Sequence, residues 1–200
     1  MLSRREVLRR ASLVLGYAVT GSTASAVLSG CRIEPSLDWT PRALTPQQIV
    51  TVRAMADHLL PTTSTPGAAD LQVERFIDQV LRDFTPEADR QTFLTGLTAF
   101  ETRCQTQFGR SFTALSPAER DEIFAAYEAE SPPLPPTIWG GQISADVQPP
   151  TFYRMFKAMA VTGYFNSEVV GEQLLAYDPI PGSFDGCIPL SDVGKAWSLG

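Results

Sequence analysis

Apolar residues recur at helical spacing in five stretches of this 200-residue chain, and no stretch keeps the alternation of a half-buried strand. The first predicted helix begins at Thr45, followed by Pro46 and by Gln48 at the third helical position, and Pro61 ends it. Its apolar positions are Ile49, Val52, Ala56, Leu59 and Leu60. The pattern predicts a mostly α fold.

Four further helices follow from the same spacing. The second spans about 68–84, and the third spans about 86–108 with Cys104 on its apolar stripe. The fourth begins at the capping box Ser116-Pro117-Ala118-Glu119, and the fifth spans roughly 150–162. The apolar face of the second helix is predicted to comprise Val73, Phe76, Ile77, Val80 and Leu81.

Two segments interrupt this pattern. Residues 131–150 contain six prolines and a Gly-Gly pair, which predicts an extended strap over the surface. A short helix is expected around 168–176, before a loop-rich C-terminal tail. Residues 31–44 show no periodicity and are predicted to form a tether. We therefore expect a single irregular helical domain at 45–200, with five to six helices.

The N-terminal leader has the layout of an export signal. Arg4 and Arg5 lie in a hexapeptide that resembles the twin-arginine motif, and residues 11–30 carry no charge. A transmembrane anchor is the alternative, but glycine, serine and threonine dilute the apolar character of this stretch. Residues 1–30 are therefore predicted to be a signal peptide that directs the folded protein to the periplasm.

The leader ends in Leu28-Ser29-Gly30-Cys31, which resembles the lipobox of bacterial lipoproteins. In that interpretation the thiol of Cys31 is lipidated and anchors the mature chain to a membrane, since several acyl chains on one residue give stable attachment. An ordinary cleavage site with a cysteine nearby by chance is the alternative.

Charge and composition exclude several classes of function. The chain has a net charge of −6, and removal of a leader with four arginines and one glutamate leaves −9 for residues 31–200. Nucleic-acid binding is not expected from so acidic a domain. The sequence contains no G-x-G-x-x-G after a strand, no C-x-x-C-H and no phosphate-binding loop, so no cofactor is predicted in this chain.

The histidine and the remaining cysteines offer little chemistry of their own. His58, near the end of the first helix, is predicted to interact with the helix dipole and the last carbonyl groups. As a general base it would need a positioned partner, and the adjacent Asp57 points elsewhere on the helix. No catalytic residue and no metal ligand is predicted. Cys104 and Cys187 can pair with each other or with another chain in an oxidising compartment.

Two stretches carry a family resemblance. The first is A-D-H-L-L-P-T-T-S-T-P-G-A-A-D at residues 56–70, and the second is F-Y-R-M-F-K-A-M-A-V-T-G-Y-F-N-S-E-V-V-G at 152–171. Together they resemble the gluconate 2-dehydrogenase subunit 3 family, over roughly residues 45–190. The block G-Y-F-x-S-E is the most specific part of the resemblance.

The resemblance implies the small subunit of a membrane-associated, FAD-dependent sugar or sugar-acid dehydrogenase. It implies a catalytic partner of the glucose–methanol–choline oxidoreductase type, which binds the FAD and is exported with the small subunit. A c-type cytochrome commonly accepts the electrons in such complexes. A free-standing periplasmic lipoprotein, an export chaperone that releases its client and an independent enzyme remain alternatives.

Aromatic residues in the last part of the chain are candidate anchors for such a partner, because aromatics are enriched at interfaces. Tyr164 and Phe165 can equally close the helical core. Cys104 is predicted to be a buried, inert thiol, which leaves Cys187 for a disulfide with the catalytic subunit, and an internal Cys104–Cys187 bridge is the close alternative. The predicted interface comprises Tyr164, Phe165, Asn166, Ser167, Tyr177, Pro181, Gly182, Phe184 and Cys187.

Overall fold

The computed structural model describes residues 38–131, 137–138, 141–142, 150–177, 187 and 189–198, all within one compact unit. The predicted signal peptide at 1–30, with Arg4 and Arg5, lies outside the described residues, and so does the predicted lipidation site Cys31.

The described residues are mainly helical, as the sequence predicts. A 3-10 helix at Phe112–Ala114 precedes the fourth α-helix, and a π-helix at Val170–Leu174 lies within the short helix expected at 168–176. The α-helices among these residues are α1 Pro46–Leu59, α2 Val73–Asp83, α3 Glu87–Phe108, α4 Pro117–Glu130, α5 Phe152–Phe165 and α6 Leu190–Val193.

A small antiparallel pair lies within the stretch that was expected to be an irregular strap. Strand β1 is Thr137–Ile138 and strand β2 is Gly141–Gln142, with Thr137 opposite Gln142 and Ile138 opposite Gly141. Each strand has only two residues, which is too short to show the alternation of apolar and polar residues that predicts a strand. The pair therefore fits between the prolines of this stretch.

Both predicted capping boxes are present. At the start of α1 the Thr45 backbone N–H donates to Gln48 Oε1 over 2.9 Å, and the Gln48 N–H donates back to Thr45 Oγ1 over 3.3 Å. At the start of α4 the Ser116 N–H donates to Glu119 Oε2 over 2.7 Å. Each reciprocal cap satisfies N–H groups that the helix leaves unpaired, and a cap is worth about 1 kcal/mol.

Helix α2 begins five residues later than predicted. Gln72, the residue before it, has φ 52° and therefore cannot continue a helix. Upstream, Asp70 Oδ2 accepts hydrogen bonds from the Gly67 N–H at 2.9 Å and from Thr62 Oγ1 at 2.6 Å. These side-chain bonds close residues 62–70 into a loop, which competes with the helix expected from residue 68.

The buried face of α2 also differs from the predicted one. Val73, Ile77 and Leu81 are buried as expected, whereas Phe76 and Val80 are only half-buried. Two carboxylates, Glu74 and Asp78, are instead each 2% exposed.

Asp78 is buried because it binds the backbone of the segment before α1. Its Oδ1 accepts from the N–H groups of Ala43 and Leu44 at 2.9 and 2.8 Å, and its Oδ2 accepts from Arg42 at 2.8 Å. Leu44 is 5% exposed. Residues 42–44 therefore belong to the folded domain, although the sequence placed them in the tether.

The helices pack around an aromatic core. The rings of Phe100 and Phe112 have centroids 5.1 Å apart, and Phe112 stacks on Phe124 at 5.6 Å. Glycine allows the closest helix contacts: a Cβ on Gly96 would lie 2.2 Å from the Cβ of Phe152, so α3 and α5 meet without a side chain between them. This contact fixes the position of α5, whose C-terminal end carries the most specific family block.

Candidate partner interface

The two stretches that carry the family resemblance meet in the structure. Tyr164, in the last turn of α5, donates its hydroxyl hydrogen bond to the Pro66 carbonyl of the loop after α1, over 2.9 Å. The two residues are 98 positions apart, and Tyr164 is 8% exposed. This hydrogen bond joins the loop to the end of α5.

Close backbone contacts and hydrogen bonds brace the loop. A Cβ on Gly67 would lie 2.5 Å from the Thr62 nitrogen and 2.9 Å from the Pro61 carbonyl carbon, so only glycine fits there without a backbone shift. The hydrogen bonds that Thr62 and Gly67 donate to Asp70 lower the pKa of that carboxyl group. The Ala68 N–H donates to Leu60 O over 2.8 Å and connects the loop to the end of α1.

An ion pair between the exposed Arg53 and the buried Glu74 connects the loop to α1 and α2. Arg53 donates from Nη1 to Glu74 Oε1 and from Nη2 to Ala69 O, each over 3.2 Å. Within the described part of the chain, Glu74 Oε2 has no hydrogen-bond partner. Burial raises the pKa of the Glu74 carboxyl group, and this effect exceeds the opposing influence of Arg53. Sequence reasoning missed this pair, because Glu74 looks like an ordinary surface residue of a helix.

The residues after Tyr164 end the helix and face outward. Phe165 is 45% exposed, and its ring packs edge-on against Tyr164 with centroids 5.3 Å apart. Ser167 Oγ donates to Tyr164 O over 2.7 Å, and Asn166 Nδ2 donates to Thr162 O over 2.9 Å. Of these predicted interface residues, Tyr164 belongs to the core, while Phe165 and Asn166 are exposed.

A second exposed aromatic pair lies near the C-terminus. Ala176 and Trp197 form a parallel bridge, with the Ala176 N–H donating to Ala196 O over 2.8 Å. Tyr177 is 46% exposed and Trp197 is 51% exposed. Cys187 is exposed, whereas the predicted interface residues Pro181, Gly182 and Phe184 lie outside the described residues.

Residues 46–182, which include the loop and the end of α5, match the model of one protein family, described as gluconate 2-dehydrogenase subunit 3. The chain belongs to the gluconate 2-dehydrogenase subunit 3 family. The match confirms the resemblance noted in the sequence. No curated protein and no solved structure matches the chain significantly.

In this member of the subunit 3 family, Cys104 is the inert core thiol that the sequence predicts. It is fully buried and forms no disulfide, and burial raises its pKa to about 11. The alternative of an internal Cys104–Cys187 bridge is therefore wrong for this structure. A disulfide between Cys187 and a partner subunit stays a prediction.

His58 has a partner that the sequence did not reveal. Its Nε2 lies 2.9 Å from Asp121 Oδ1 of α4, and its ring packs edge-on against Phe124 with centroids 5.1 Å apart. The side chain therefore joins α1 to α4, beyond the predicted role at the end of its own helix. No sequence signal connects residues 58 and 121, because their contact depends on how the two helices pack.

The described part of this family member has neither a metal-binding cluster nor a membrane-spanning helix. No group of three or more His, Cys, Asp or Glu side chains in that part is arranged to bind a metal ion. Among the same residues, no helix combines the length and the apolar character needed to span a bilayer.

Proposed function

We propose that this chain is the non-catalytic small subunit of an FAD-dependent dehydrogenase that oxidises a sugar or sugar acid. It binds and stabilises a catalytic subunit of the glucose–methanol–choline type and accompanies it to the periplasm. Membership of the subunit 3 family supports this function, since the family name describes a subunit of a gluconate dehydrogenase. The FAD belongs to the catalytic partner in this proposal, and a c-type cytochrome accepts the electrons.

The observation that carries the proposal is the exposed ring of Phe165. It projects from the end of α5, at the centre of the most specific family block, and is 45% exposed. Its neighbour Tyr164 is fixed to the loop at Pro66. An aromatic side chain on a rigid support loses little conformational entropy on binding, and burial of an exposed phenylalanine contributes about 1–2 kcal/mol.

The test is purification of the tagged full-length chain from its native membranes. We expect a flavoprotein to accompany the chain, with flavin absorbance and sugar oxidation in the eluate. Phe165→Ala should reduce the recovered flavoprotein about tenfold, which corresponds to the loss of roughly 1.4 kcal/mol of binding.

Phe84 provides the matched control. It is 76% exposed and follows the C-terminal end of α2, about 12 Å along the helix axis from Phe76, which contacts α5 at Gly163. Phe84→Ala should leave the recovery of flavoprotein unchanged. Recovery of the chain without any flavoprotein would refute the proposed function and favour the free-standing lipoprotein or the export chaperone.

Export and anchoring are tested separately. Changing both Arg4 and Arg5 to lysine should retain this chain and its flavoprotein in the cytoplasm, because the translocase reads paired arginines. Mass spectrometry of the mature N-terminus should find an acylated Cys31, and Cys31→Ala should release the complex from the membrane. Normal export of the double-lysine variant, or an unmodified N-terminus, would contradict these two parts of the proposal.

A further inference from the structure

A groove of about 480 Å³ lies between the π-helix and α6. Its floor includes Leu175, and the exposed rings of Tyr177 and Trp197 form part of its lining. The Ala176–Trp197 bridge holds these two segments of chain together, with the Ser198 N–H donating to Ala176 O over 2.8 Å. We call this feature, lined also by Glu172, Asp192 and Lys195, the C-terminal groove.

The carboxylates of the C-terminal groove lack a cationic partner among the described residues. Glu172 and Asp192 are exposed and form no ion pair there. Lys195, the basic residue of the lining, instead directs its Nζ to Gln173 O over 3.5 Å. Residues 158–200 contain five acidic residues and Lys195 as their sole basic residue, so this part of the chain carries a net negative charge.

Elsewhere in the chain, an arginine contacts both an aromatic ring and a carboxylate. Arg103 places its guanidinium over the ring of Tyr127, 5.1 Å from the centroid, and donates to Glu130 Oε2 over 2.8 Å. An arginine therefore satisfies an aromatic face and a carboxylate together, which is the arrangement that its planar and delocalised charge favours. The C-terminal groove presents aromatic faces and carboxylates without that arginine.

We propose that the C-terminal groove binds an arginine side chain from a basic segment of the partner subunit. The guanidinium stacks on Trp197 or Tyr177 and donates hydrogen bonds to Glu172 and Asp192. Arginine anchors of this kind are among the side chains that contribute most to protein interfaces. This inference rests on the proposed function for the identity of the partner, whereas the recognition of arginine can be measured on the chain alone.

The first experiment uses two equally charged probes, acetyl-Arg-Arg-Arg-amide and acetyl-Lys-Lys-Lys-amide, with the full-length chain labelled with 5-fluorotryptophan. The ¹⁹F resonance of Trp197 is assigned from Trp197→Phe. We expect the arginine peptide to shift this resonance and to bind at least about threefold more tightly than the lysine peptide. Binding should weaken when the salt concentration rises from about 50 mM to about 500 mM.

Glu172 and Glu168 form a matched pair of variants. Both are exposed glutamates near the π-helix, but only Glu172 lines the groove. Glu172→Gln should weaken binding of the arginine peptide about threefold, and Glu168→Gln should leave it unchanged. Equal effects of the two variants would overturn the site, because they would indicate attraction by net charge alone. Equal binding of the two peptides would overturn the preference for arginine.

The second experiment returns to the native complex. Glu172→Gln combined with Asp192→Asn should lower the recovery of flavoprotein with the tagged chain about tenfold at high salt, whereas Glu168→Gln should not. Undiminished recovery with the double variant would overturn the groove as a docking site. Absence of flavoprotein with the unmodified chain would refute the proposed function instead, and the peptide titration would still decide whether the groove recognises arginine.

Discussion

The carboxylate of Asp78 should be one of the most sensitive positions in the domain. It is 2% exposed and accepts three backbone hydrogen bonds, from Arg42, Ala43 and Leu44, at 2.8–2.9 Å. Substitution Asp78→Ala removes the acceptor and leaves three N–H groups without their partner. The methyl group of alanine has no acceptor atom for them.

The expected cost follows from the burial of the three donors. The Leu44 N–H is buried, and an unpaired buried donor costs about 1–3 kcal/mol. The other two donors are partly buried, so water replaces the lost bonds in part, at about 1 kcal/mol each. Asp78→Ala should therefore lower the free energy of unfolding by about 3–5 kcal/mol. That loss is a large fraction of the stability of an ordinary domain.

Asp78→Asn should have an intermediate effect. Its remaining oxygen can still accept from Ala43 and Leu44, but the new amide group faces the N–H of Arg42, and two donors cannot bond each other. We expect a loss of about 2 kcal/mol. Asp78→Asn removes only the bond from Arg42 to Oδ2, so the additional loss of stability in Asp78→Ala measures the two bonds to Oδ1.

Urea unfolding followed by circular dichroism measures both losses, with an unchanged slope and a lower midpoint. Asp83→Asn is the control, because Asp83 lies on the same helix and pairs with the same Arg42 through exposed side chains at 3.0 Å. That exposed pair is worth at most about 0.5 kcal/mol. A loss below about 1 kcal/mol for Asp78→Ala, or an equal loss for Asp83→Asn, would refute the reasoning.

Four further predictions concern the packing, the loop and the buried carboxylate of Glu74. Gly96→Ala should lower the free energy of unfolding by about 2 kcal/mol or more, because the new methyl group would lie 2.2 Å from the Cβ of Phe152 in α5. Gly109→Ala should lower it by about 1 kcal/mol in a thermal melt, because φ is 70° there although the space around the residue is open. Tyr164→Phe should cost about 1 kcal/mol and speed hydrogen exchange in the loop after α1, and unchanged exchange would count against the hydroxyl bond. For Glu74 the folded-state pKa is raised above the ordinary value of 4.5, so its contribution to stability is fully present below that value and is lost as the pH rises through the folded-state pKa. The stability of the native protein relative to Glu74→Gln should therefore fall as the pH rises above 4.5 through the folded-state pKa, and a constant difference in urea midpoints would contradict the raised pKa.

The helices could be predicted because their signals are local. The capping residues Thr45 and Ser116 and the spacing of apolar side chains act within one or two helical turns, so α1, α3 and α4 begin where the sequence indicates. The start of α2 could not be predicted from periodicity, because it depends on hydrogen bonds that Asp70 makes within a loop. Apolar spacing continues through residues 68–72 without distinguishing the two outcomes.

Only part of the candidate site could be predicted, because some of its contacts join residues that are far apart in the sequence. The sequence identifies Tyr164 and Phe165 alike as possible anchors. The contact between Tyr164 and Pro66 shows that Tyr164 belongs to the core, whereas Phe165 is exposed. The burial of Glu74 depends on Arg53, which lies 21 positions away on another helix. Such long-range pairs leave no local pattern in a single sequence.

The three backbone hydrogen bonds to Asp78 also have a mechanical consequence. A pull on the N-terminal end of the described chain reaches the backbone of residues 42–44 before it reaches α1. Because all three N–H groups bond one carboxylate, they share that load between them. The tension passes into α2, while the first turn of α1 and its cap at Thr45 remain unstrained. The first turn of α1 is thus shielded from tension applied at the N-terminal end of the described chain, and α2 bears that tension instead.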